Sequence, residues 1–310
     1  MRLPFSVSSF YADAEVRSTP RELEVPSVIF DFIPYIMTWN ILQAFALVLH
    51  ISVLTTVLHS RNIRRSPTWL LLVFSGMLYS ASCLFIVTQQ VGPPPSTSIC
   101  VIQATLIYAC PAMNGAAVCS FMLQAYWVVA SLGNLGSAPV YPKFNRWVLV
   151  IPPFVFYVVL AEVLIVYAVD DSGLERDLSG THCGMKQNRL PVRVTAAVVV
   201  ICSIVVLILE AFIYTKLRKE WDRNVKSLCA TQMPPRVIAR VAIFGLFAVS
   251  ALVISFALSG FTLESYNSPI AAAGSNLAIA IMQAAQALIL GTQRDILSVW
   301  MFWKKRQPSY

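Results

Sequence analysis

Charged residues are scarce in this 310-residue sequence, in which Asp, Glu, Lys and Arg make up 12% and hydrophobic residues 57%. Soluble domains carry about 25% charged residues, so this deficit argues against a soluble globular protein. The mean hydropathy of +0.68 agrees with that interpretation. Only 12 glycines stand beside 18 prolines, which argues against a low-complexity chain, and no repeat of fixed period is present. The composition is therefore typical of a membrane protein.

The residue patterns of common catalytic and cofactor sites are also missing. Three histidines occur, at His50, His59 and His182, and they form no close cluster. Histidine-ligated zinc and haem sites need several ligands at one depth. The sequence contains no G-x-S-x-G motif, no phosphate-binding glycine loop and no lysine in its last apolar stretch for a retinal Schiff base. We therefore expect neither an enzyme nor a cofactor or metal site.

Seven apolar stretches have the roughly 20 residues that a membrane-crossing helix needs. We expect no secretory signal at the N-terminus, because its apolar stretch is too short and acidic residues follow it. The sequence predicts an all-α, integral membrane bundle of seven transmembrane helices over residues 35–291, preceded by a mobile arm at 1–34. The predicted spans are approximately 35–58, 68–87, 99–130, 147–169, 194–214, 237–260 and 269–291.

The distribution of Lys and Arg predicts how the bundle is oriented. The connections 58–67, 131–146 and 216–240, together with the tail after Thr292, contain 16 Lys and Arg and 3 Asp and Glu. The N-terminal arm and the other connections contain 7 Lys and Arg and 10 Asp and Glu. Lys and Arg are enriched on the cytoplasmic side, so we expect the N-terminus on the outer side and the C-terminus inside. The expected location is the plasma membrane or a connected endomembrane. The net charge of +8 is then an orientation signal, and we expect no nucleic-acid partner.

Two of the seven cysteines, Cys100 and Cys183, fall on the predicted outer side. Disulfides persist on the oxidising side of a membrane. The two residues are either free thiols or a bridge from the third helix to the outer loop before the fifth helix. We predict the bridge, which would hold that loop over the mouth of the bundle.

Polar side chains inside the predicted spans usually face the interior of a bundle, because they are costly in lipid. Three lie on the third span, one on the fourth and two on the seventh. They either bond neighbouring helices together or line a ligand cavity in the outer half of the bundle. The candidates for a ligand pocket are Gln103, Tyr108, Asn114, Glu162, Asn276 and Gln283.

The stretch IYTKLRKEWDRNVK follows the fifth span directly. Leu217, Trp221, Val225 and Leu228 recur every three or four residues, which predicts that the fifth helix continues past the membrane by about two to four turns. This basic surface either touches anionic lipid headgroups or docks a cytosolic partner. The candidates for contact with lipid or a transducer are Arg64, Arg65, Lys216, Arg218, Lys219, Arg236, Arg240 and Arg294.

The tail after Gly291 reads TQRDILSVWMFWKKRQ. Ile296, Val299, Trp300 and Trp303 fall on one helical face, and a basic end follows them. Aromatic residues with a basic end are typical of a helix in the membrane interface. We therefore predict a cytoplasmic amphipathic tail at 292–310.

Seven spans, an outer N-terminus, the Cys100–Cys183 pair and an amphipathic tail together resemble a G-protein-coupled receptor. The segments LILGTQRDILSVWMFWKKR and LIYACP resemble fungal seven-helix proteins of this type. The rhodopsin-class motifs are absent: QAYWVVAS replaces the acidic-Arg-Tyr triplet, and the Asn-Pro-x-x-Tyr and Trp-x-Pro motifs do not occur. The resemblance implies a receptor that senses an extracellular small molecule or peptide and signals to a cytosolic transducer, such as a heterotrimeric G protein.

A seven-helix transporter of a small solute is the alternative to a receptor. Many transporters carry internal repeats and paired helix breaks near the membrane midplane. Neither feature is convincing in this sequence. Agonist-dependent nucleotide exchange on a Gα subunit would indicate a receptor, whereas saturable uptake into proteoliposomes would indicate a transporter.

Overall fold

The computed structural model describes the greater part of the chain, namely residues 28–60, 63, 65–132, 145–169, 174–177, 179–185, 188–224, 245–246, 249–251, 253–254 and 269–300. Most of the predicted N-terminal arm, most of the predicted sixth span and the end of the tail lie outside the described residues. Arg64, Arg236 and Arg240 lie outside them too, as does the side chain of Arg294.

The structure consists almost entirely of helices. Within the described ranges these helices are α1 (Val28–His59), α2 (Pro67–Leu84), α3 (Thr97–Leu132), α4 (Asn145–Val169), α5 (Leu190–Asn224), α6 (Pro269–Gly291) and α7 (Arg294–Trp300). The described residues between 245 and 254, called the 245–254 segment below, are also helical. By its contacts the chain divides into two units, Met1–Ile33 and Pro34–Tyr310. In the first unit the described residues are the start of α1, up to Ile33, and the packing and the site described below belong to the second.

Six of these helices are long and apolar enough to cross a membrane, with mean hydropathies between 1.4 and 2.9 in their most apolar windows. They are Ile33–His59, Pro67–Gln89, Thr97–Ala130, Arg146–Val169, Leu190–Lys219 and Ala273–Gly291. These helices correspond to the predicted spans one to five and seven, so α6 is the predicted seventh span. The protein is accordingly an integral membrane protein that crosses the bilayer several times.

The boundaries of α2 show how local sequence sets a helix end. Ser66 is the N-cap, and its Oγ accepts a hydrogen bond from the backbone N–H of Trp69 at 3.3 Å. Pro67 occupies the first turn, where its missing N–H is not needed. The helix ends at Leu84, three residues before the predicted end, and a 3-10 turn follows at Val87–Gln89.

The prediction that the fifth helix extends beyond its apolar stretch is confirmed, because α5 continues without a break to Asn224. The ten residues after Tyr214 rise about 15 Å, or nearly three turns. Leu217, in the first turn of this extension, is buried in a cluster with Met122 and Ile213. The extension therefore begins with a turn that packs on α3.

The buried face of α1 repeats every three or four residues. Gln43 and His50 are both fully buried on this face. The buried residues are Ile36, Trp39, Gln43, Ala46, His50, Val53 and Val57. Large apolar side chains such as Phe45, Val48 and Ile51 are exposed on the other faces of α1, as expected when hydrocarbon is the solvent.

A short hairpin lies in the connection between α4 and α5. Its strands are β1 (Leu174–Arg176) and β2 (Cys183–Met185), paired antiparallel with Arg176 opposite Cys183. Gly180 in the turn has φ of +73°, a conformation that glycine adopts without strain. The structure contains the disulfide between Cys100 at the start of α3 and Cys183 on β2. We call this end of the bundle the hairpin end.

Candidate functional site

A cavity of about 250 Å³ lies inside the bundle below the hairpin. Its walls come mainly from α3, α5 and α6, with contributions from α1, α2, the hairpin and the 245–254 segment. Four of the six predicted pocket residues line it, namely Tyr108, Asn114, Asn276 and Gln283. The structure thus brings together polar side chains from α3 and α6.

The hairpin is joined to α6 by side-chain hydrogen bonds. Asn276 Nδ2 donates to Ser179 Oγ and to Thr181 Oγ1, each at 3.1 Å. Asp177 accepts hydrogen bonds from the backbone N–H and the hydroxyl of Ser179. Asp177 and His182 line the cavity. The polar atoms at this end therefore bond largely to one another and form a roof over the cavity.

The hairpin is also fixed to α3 by more than the disulfide. The backbone N–H of Cys183 donates to Gln103 Oε1 at 2.8 Å, and that of Met185 donates to Tyr108 Oη at 3.3 Å. Gln103 is fully buried in this contact and does not line the cavity. The prediction of Gln103 as a pocket residue is therefore replaced by a role in holding the roof.

A third connection joins the roof to α1 through Gln90. Gln90 Nε2 donates to Asn40 Oδ1 at 3.1 Å and to the carbonyl of Thr181 at 3.3 Å. Arg176 on β1 donates to the carbonyls of Gln89 and Gly92, each at 3.0 Å. The hairpin is thus bonded to α3, α6 and the segment after α2, and this segment is bonded to α1 in turn, which fixes the position of the hairpin over the cavity.

Asn114 and Gln286 form a reciprocal pair of amides at the deep end of the cavity. Asn114 Nδ2 donates to Gln286 Oε1 at 3.2 Å, and Gln286 Nε2 donates to Asn114 Oδ1 at 3.3 Å. Ser75 on α2 donates to the same Asn114 oxygen at 2.9 Å. In hydrocarbon, such bonds between side chains hold helices together. Asn114 therefore both lines the cavity and joins α2, α3 and α6.

Gln283 differs from its neighbours because its carbonyl oxygen is unsatisfied. The residue is 4% exposed and lines the cavity one turn above Gln286. Its Oε1 has no hydrogen-bond partner within the described part of the chain. A buried acceptor without a donor costs about 1–3 kcal/mol. Trp39 Nε1, a donor on another residue of the lining, is also buried without a partner among the described residues.

The cavity wall on α5 was not predicted from the sequence. Thr195, Val199 and Ser203 line the cavity at intervals of four residues, and Cys202 lies beside them. Thr195 Oγ1 donates to the carbonyl of Tyr108 at 2.9 Å, and Cys119 Sγ donates to the carbonyl of Cys202 at 3.1 Å. These residues are small and only weakly polar, so the helical repeat of small side chains was the one available signal.

Glu162 lies outside the cavity, contrary to the prediction. The neighbouring residues Val159 and Val163 on α4 pack in a cluster with Cys100 and Ala104, so α4 covers a different face of α3. No residue of α4 lines the cavity. Both carboxyl oxygens of Glu162 are buried and have no hydrogen bond to any described residue.

The basic residues at the end of the bundle opposite the hairpin differ in their exposure and in their contacts. Lys216, Arg218 and Lys219 are exposed on α5. Arg65 instead forms an ion pair with Asp295 at the start of α7, and its guanidinium lies 5.2 Å from the centre of the Trp69 ring. Arg65 therefore holds α7 against the start of α2. Its contact with lipid or a transducer stays a prediction.

The chain was also compared with known proteins. Neither a protein-family model nor a curated protein sequence matches it. Among the described residues, no group of three or more His, Cys, Asp or Glu side chains is placed to hold a metal ion. Functional arguments for this chain therefore rest on its own cavity and surfaces.

Proposed function

We propose that the protein is a receptor of G-protein-coupled type, which senses a ligand in the cavity and signals at the opposite end of the bundle. The cavity would open toward the outside of the cell, and the exposed basic end of α5 would face the cytosol. The seven spans and the amphipathic tail predicted from the sequence, together with the disulfide between Cys100 and Cys183, support this assignment. The plasma membrane and its lipids would be the natural surroundings of such a protein.

The observation that carries the proposal is the course of α5. One uninterrupted helix carries the cavity residues Thr195 and Val206 and, farther along, the exposed residues Lys216 and Lys219. A helix of 35 residues is about 50 Å long. A ligand that moves one end of this helix therefore also moves the other.

The interface between α3 and α5 is close enough to transmit such a movement. A Cβ built on Gly115 would lie 3.4 Å from Cys202 Cβ, so the two helix backbones approach each other there. Farther along α5, the Glu210 carboxylate lies against Gly245 of the 245–254 segment. A ligand shifts the population only if it binds one arrangement of these helices better than another.

Nucleotide exchange provides the direct test. The purified protein in lipid nanodiscs would be mixed with heterotrimeric G proteins and screened against a panel of metabolites and peptides. A ligand that accelerates exchange should lose its effect in Ala196→Phe, which fills the cavity, and retain it in Ala197→Phe. The two alanines are neighbours on α5, but Ala196 lines the cavity and Ala197 is exposed. Equal responses of the two variants would exclude the cavity as the ligand site.

The basic surface is tested separately. Charge reversal at Lys216 and Lys219 should weaken nucleotide exchange and leave ligand binding unchanged, because both residues are exposed and neither lines the cavity. Loss of ligand binding in these variants would contradict a role limited to transducer contact.

Transport of a small solute is the alternative function. The face of α1 that packs into the bundle carries buried polar atoms without partners in the described residues, namely Trp39 Nε1, both amide atoms of Gln43, and His50 Nε2. A hydrated path along α1 would satisfy them. Saturable uptake into proteoliposomes with no stimulated nucleotide exchange would favour transport over signalling.

A further inference from the structure

Two free cysteines meet across the interface between α3 and α5. They are Cys119 on α3 and Cys202 on α5, and neither takes part in the bridge between Cys100 and Cys183. Cys119 Sγ donates to the backbone carbonyl of Cys202 at 3.1 Å. The two thiols also form a hydrogen bond with each other. Both sulfur atoms therefore belong to one contact between the two helices.

The backbones of α3 and α5 are close together at this depth. A Cβ built on Gly115, one turn before Cys119, would lie 3.4 Å from Cys202 Cβ and 3.8 Å from Cys202 Sγ. The Cβ atoms of disulfide-bonded cysteines are about 3.5–4.5 Å apart. Residues four apart on a helix share a face, so Cys119 lies on the face of α3 that the Cys202 side chain contacts. A bond between the two sulfurs would thus join side chains that already meet.

The two cysteines differ in their relation to the cavity. Cys202 is part of the cavity lining, whereas Cys119 is not. Neither residue is fully buried. A small reagent in the cavity can therefore reach Cys202 first. The thiol of Cys119, in contact with it, is then in place for a second step.

A second pair of cysteines in the bundle lacks such a contact. Cys83 on α2 and Cys110 on α3 are buried in one apolar cluster, and Cys83 also lines the cavity. Their thiols hydrogen bond to the side chain of Ser82 instead of to each other. This pair therefore matches the first in its closeness to the cavity and differs from it in what the thiols contact.

We propose that Cys119 and Cys202 are a redox modification site, at which hydrogen peroxide that enters the cavity produces a disulfide between α3 and α5. In the first step the peroxide oxidises the Cys202 thiol to a sulfenic acid and releases one water. In the second step the Cys119 sulfur attacks the sulfenic sulfur. The S–S bond forms as the S–O bond breaks, and the hydroxyl leaves with the Cys119 proton as a second water. The two thiols thus lose two electrons and two protons, all of which the peroxide takes up.

The bridge would fix α3 against α5 beside the cavity. The proposed function requires these two helices to move relative to each other, so the oxidised protein should be held in one arrangement. This consequence rests on the proposed function, whereas the modification itself does not.

The test is peptide mapping of the full-length protein in lipid nanodiscs, before and after treatment with hydrogen peroxide. The remaining thiols are alkylated and the protein is digested without reduction, so that cross-linked peptides are preserved for mass spectrometry. We expect a peptide pair joined through Cys119 and Cys202 in the treated sample and not in the untreated one. The bridge between Cys100 and Cys183 should be present in both samples and serves as the internal reference.

A matched variant separates the two steps. Cys119→Ser should abolish the cross-link and leave the sulfenic acid on Cys202, where dimedone traps it. In the unmodified protein dimedone should label Cys202 much less, because Cys119 consumes the sulfenic acid. Serine keeps a hydroxyl that can donate to the Cys202 carbonyl, so the contact between the helices is retained. Peroxide should also raise the melting temperature of the unmodified protein, but not that of Cys119→Ser, because only the former gains a covalent link.

The second pair is the control for selectivity. Cys83 and Cys110 should yield no cross-linked peptide at the same exposure to peroxide, because their thiols contact Ser82. Cross-linking of this pair to the same extent as Cys119 and Cys202 would show that the contact between the thiols does not select the site.

Two further outcomes would overturn the inference. Complete alkylation of both Cys119 and Cys202 after peroxide treatment would show that neither thiol reacts. A Cys119→Ser protein in which dimedone does not label Cys202 would contradict the first step. Because peptide mapping needs no G protein, a cross-link in a protein that stimulates no nucleotide exchange would leave the modification site intact and remove the receptor assignment.

Discussion

Gly76 on α2 lies directly against the imidazole ring of His50 on α1, and a Cβ built on residue 76 would come within 2.5 Å of Nε2. The ring is held in place because Nδ1 donates to the carbonyl of Ala46 at 2.8 Å. A carbonyl accepts only, so Nδ1 carries a proton in this contact. The close approach of α1 and α2 at this depth thus depends on the glycine.

Gly76→Ala should therefore destabilise the protein by about 1–3 kcal/mol, the usual cost of overpacking a filled interior. The measurement is the free energy of unfolding in mixed micelles. Gly274→Ala is the matched control, since Gly274 is also helical but a Cβ there meets no atom of a described neighbour within 4 Å. Combining Gly76→Ala with His50→Ala should recover part of the loss. Similar effects of the two glycine substitutions would contradict the contact.

The reciprocal amides of Asn114 and Gln286 should show energetic coupling. Asn114→Leu or Gln286→Leu alone leaves the other amide without its partner, whereas the double variant removes both groups. We expect a coupling energy of about 0.6 kcal/mol and no more than about 1.7 kcal/mol, as for other side-chain hydrogen bonds in membrane bundles. A double-mutant cycle on the free energy of unfolding measures it. The hydrogen bonds of Asn114 go to Ser75 and Gln286, so Asn114→Leu combined with Gln293→Leu should be additive.

The disulfide should stabilise both the protein and the roof of its cavity. Removing it by Cys100→Ser and Cys183→Ser should cost about 2–4 kcal/mol, the usual range for a native bridge. The melting temperature, measured with and without a reducing agent, tests this. The reductant should lower the melting temperature of the unmodified protein and leave that of the double variant unchanged. Alkylation shows whether the reductant has freed both thiols of the unmodified protein. If both are free and the melting temperature is unchanged, the expectation is contradicted.

Six membrane-crossing helices could be predicted from the sequence because each is determined by the residues of its own segment. A stretch of about 20 apolar residues must satisfy its own backbone hydrogen bonds in lipid, and only a helix does so within one segment. The extension of α5 to Asn224 follows from a similar local repeat of apolar residues. The predicted sixth span has the same signal, but most of it lies outside the described residues.

The cavity could be predicted only in part, because it depends on contacts between distant segments. Gln103 and Tyr108 have similar polar signals on α3, yet the backbone of Cys183, 80 residues away, takes up the Gln103 acceptor. Glu162 lies on a helix that covers another face of α3, which no pattern within α4 reveals. Which face of each helix meets the cavity is decided by packing between helices and not by the periodicity of any one of them.

The ion pair between Arg65 and Asp295 provides a last prediction, about the position of α7. Their side chains are 22% and 44% exposed, so solvent and salt screen their attraction. We expect a coupling energy below about 1 kcal/mol in a double-mutant cycle of Arg65→Ala and Asp295→Ala at low salt, and less at high salt. Arg65→Ala alone should cost more than Asp295→Ala, because it also loses the contact with the Trp69 ring. Equal costs for the two single variants, or a coupling energy that grows with salt, would show that Arg65 does not act through these two contacts.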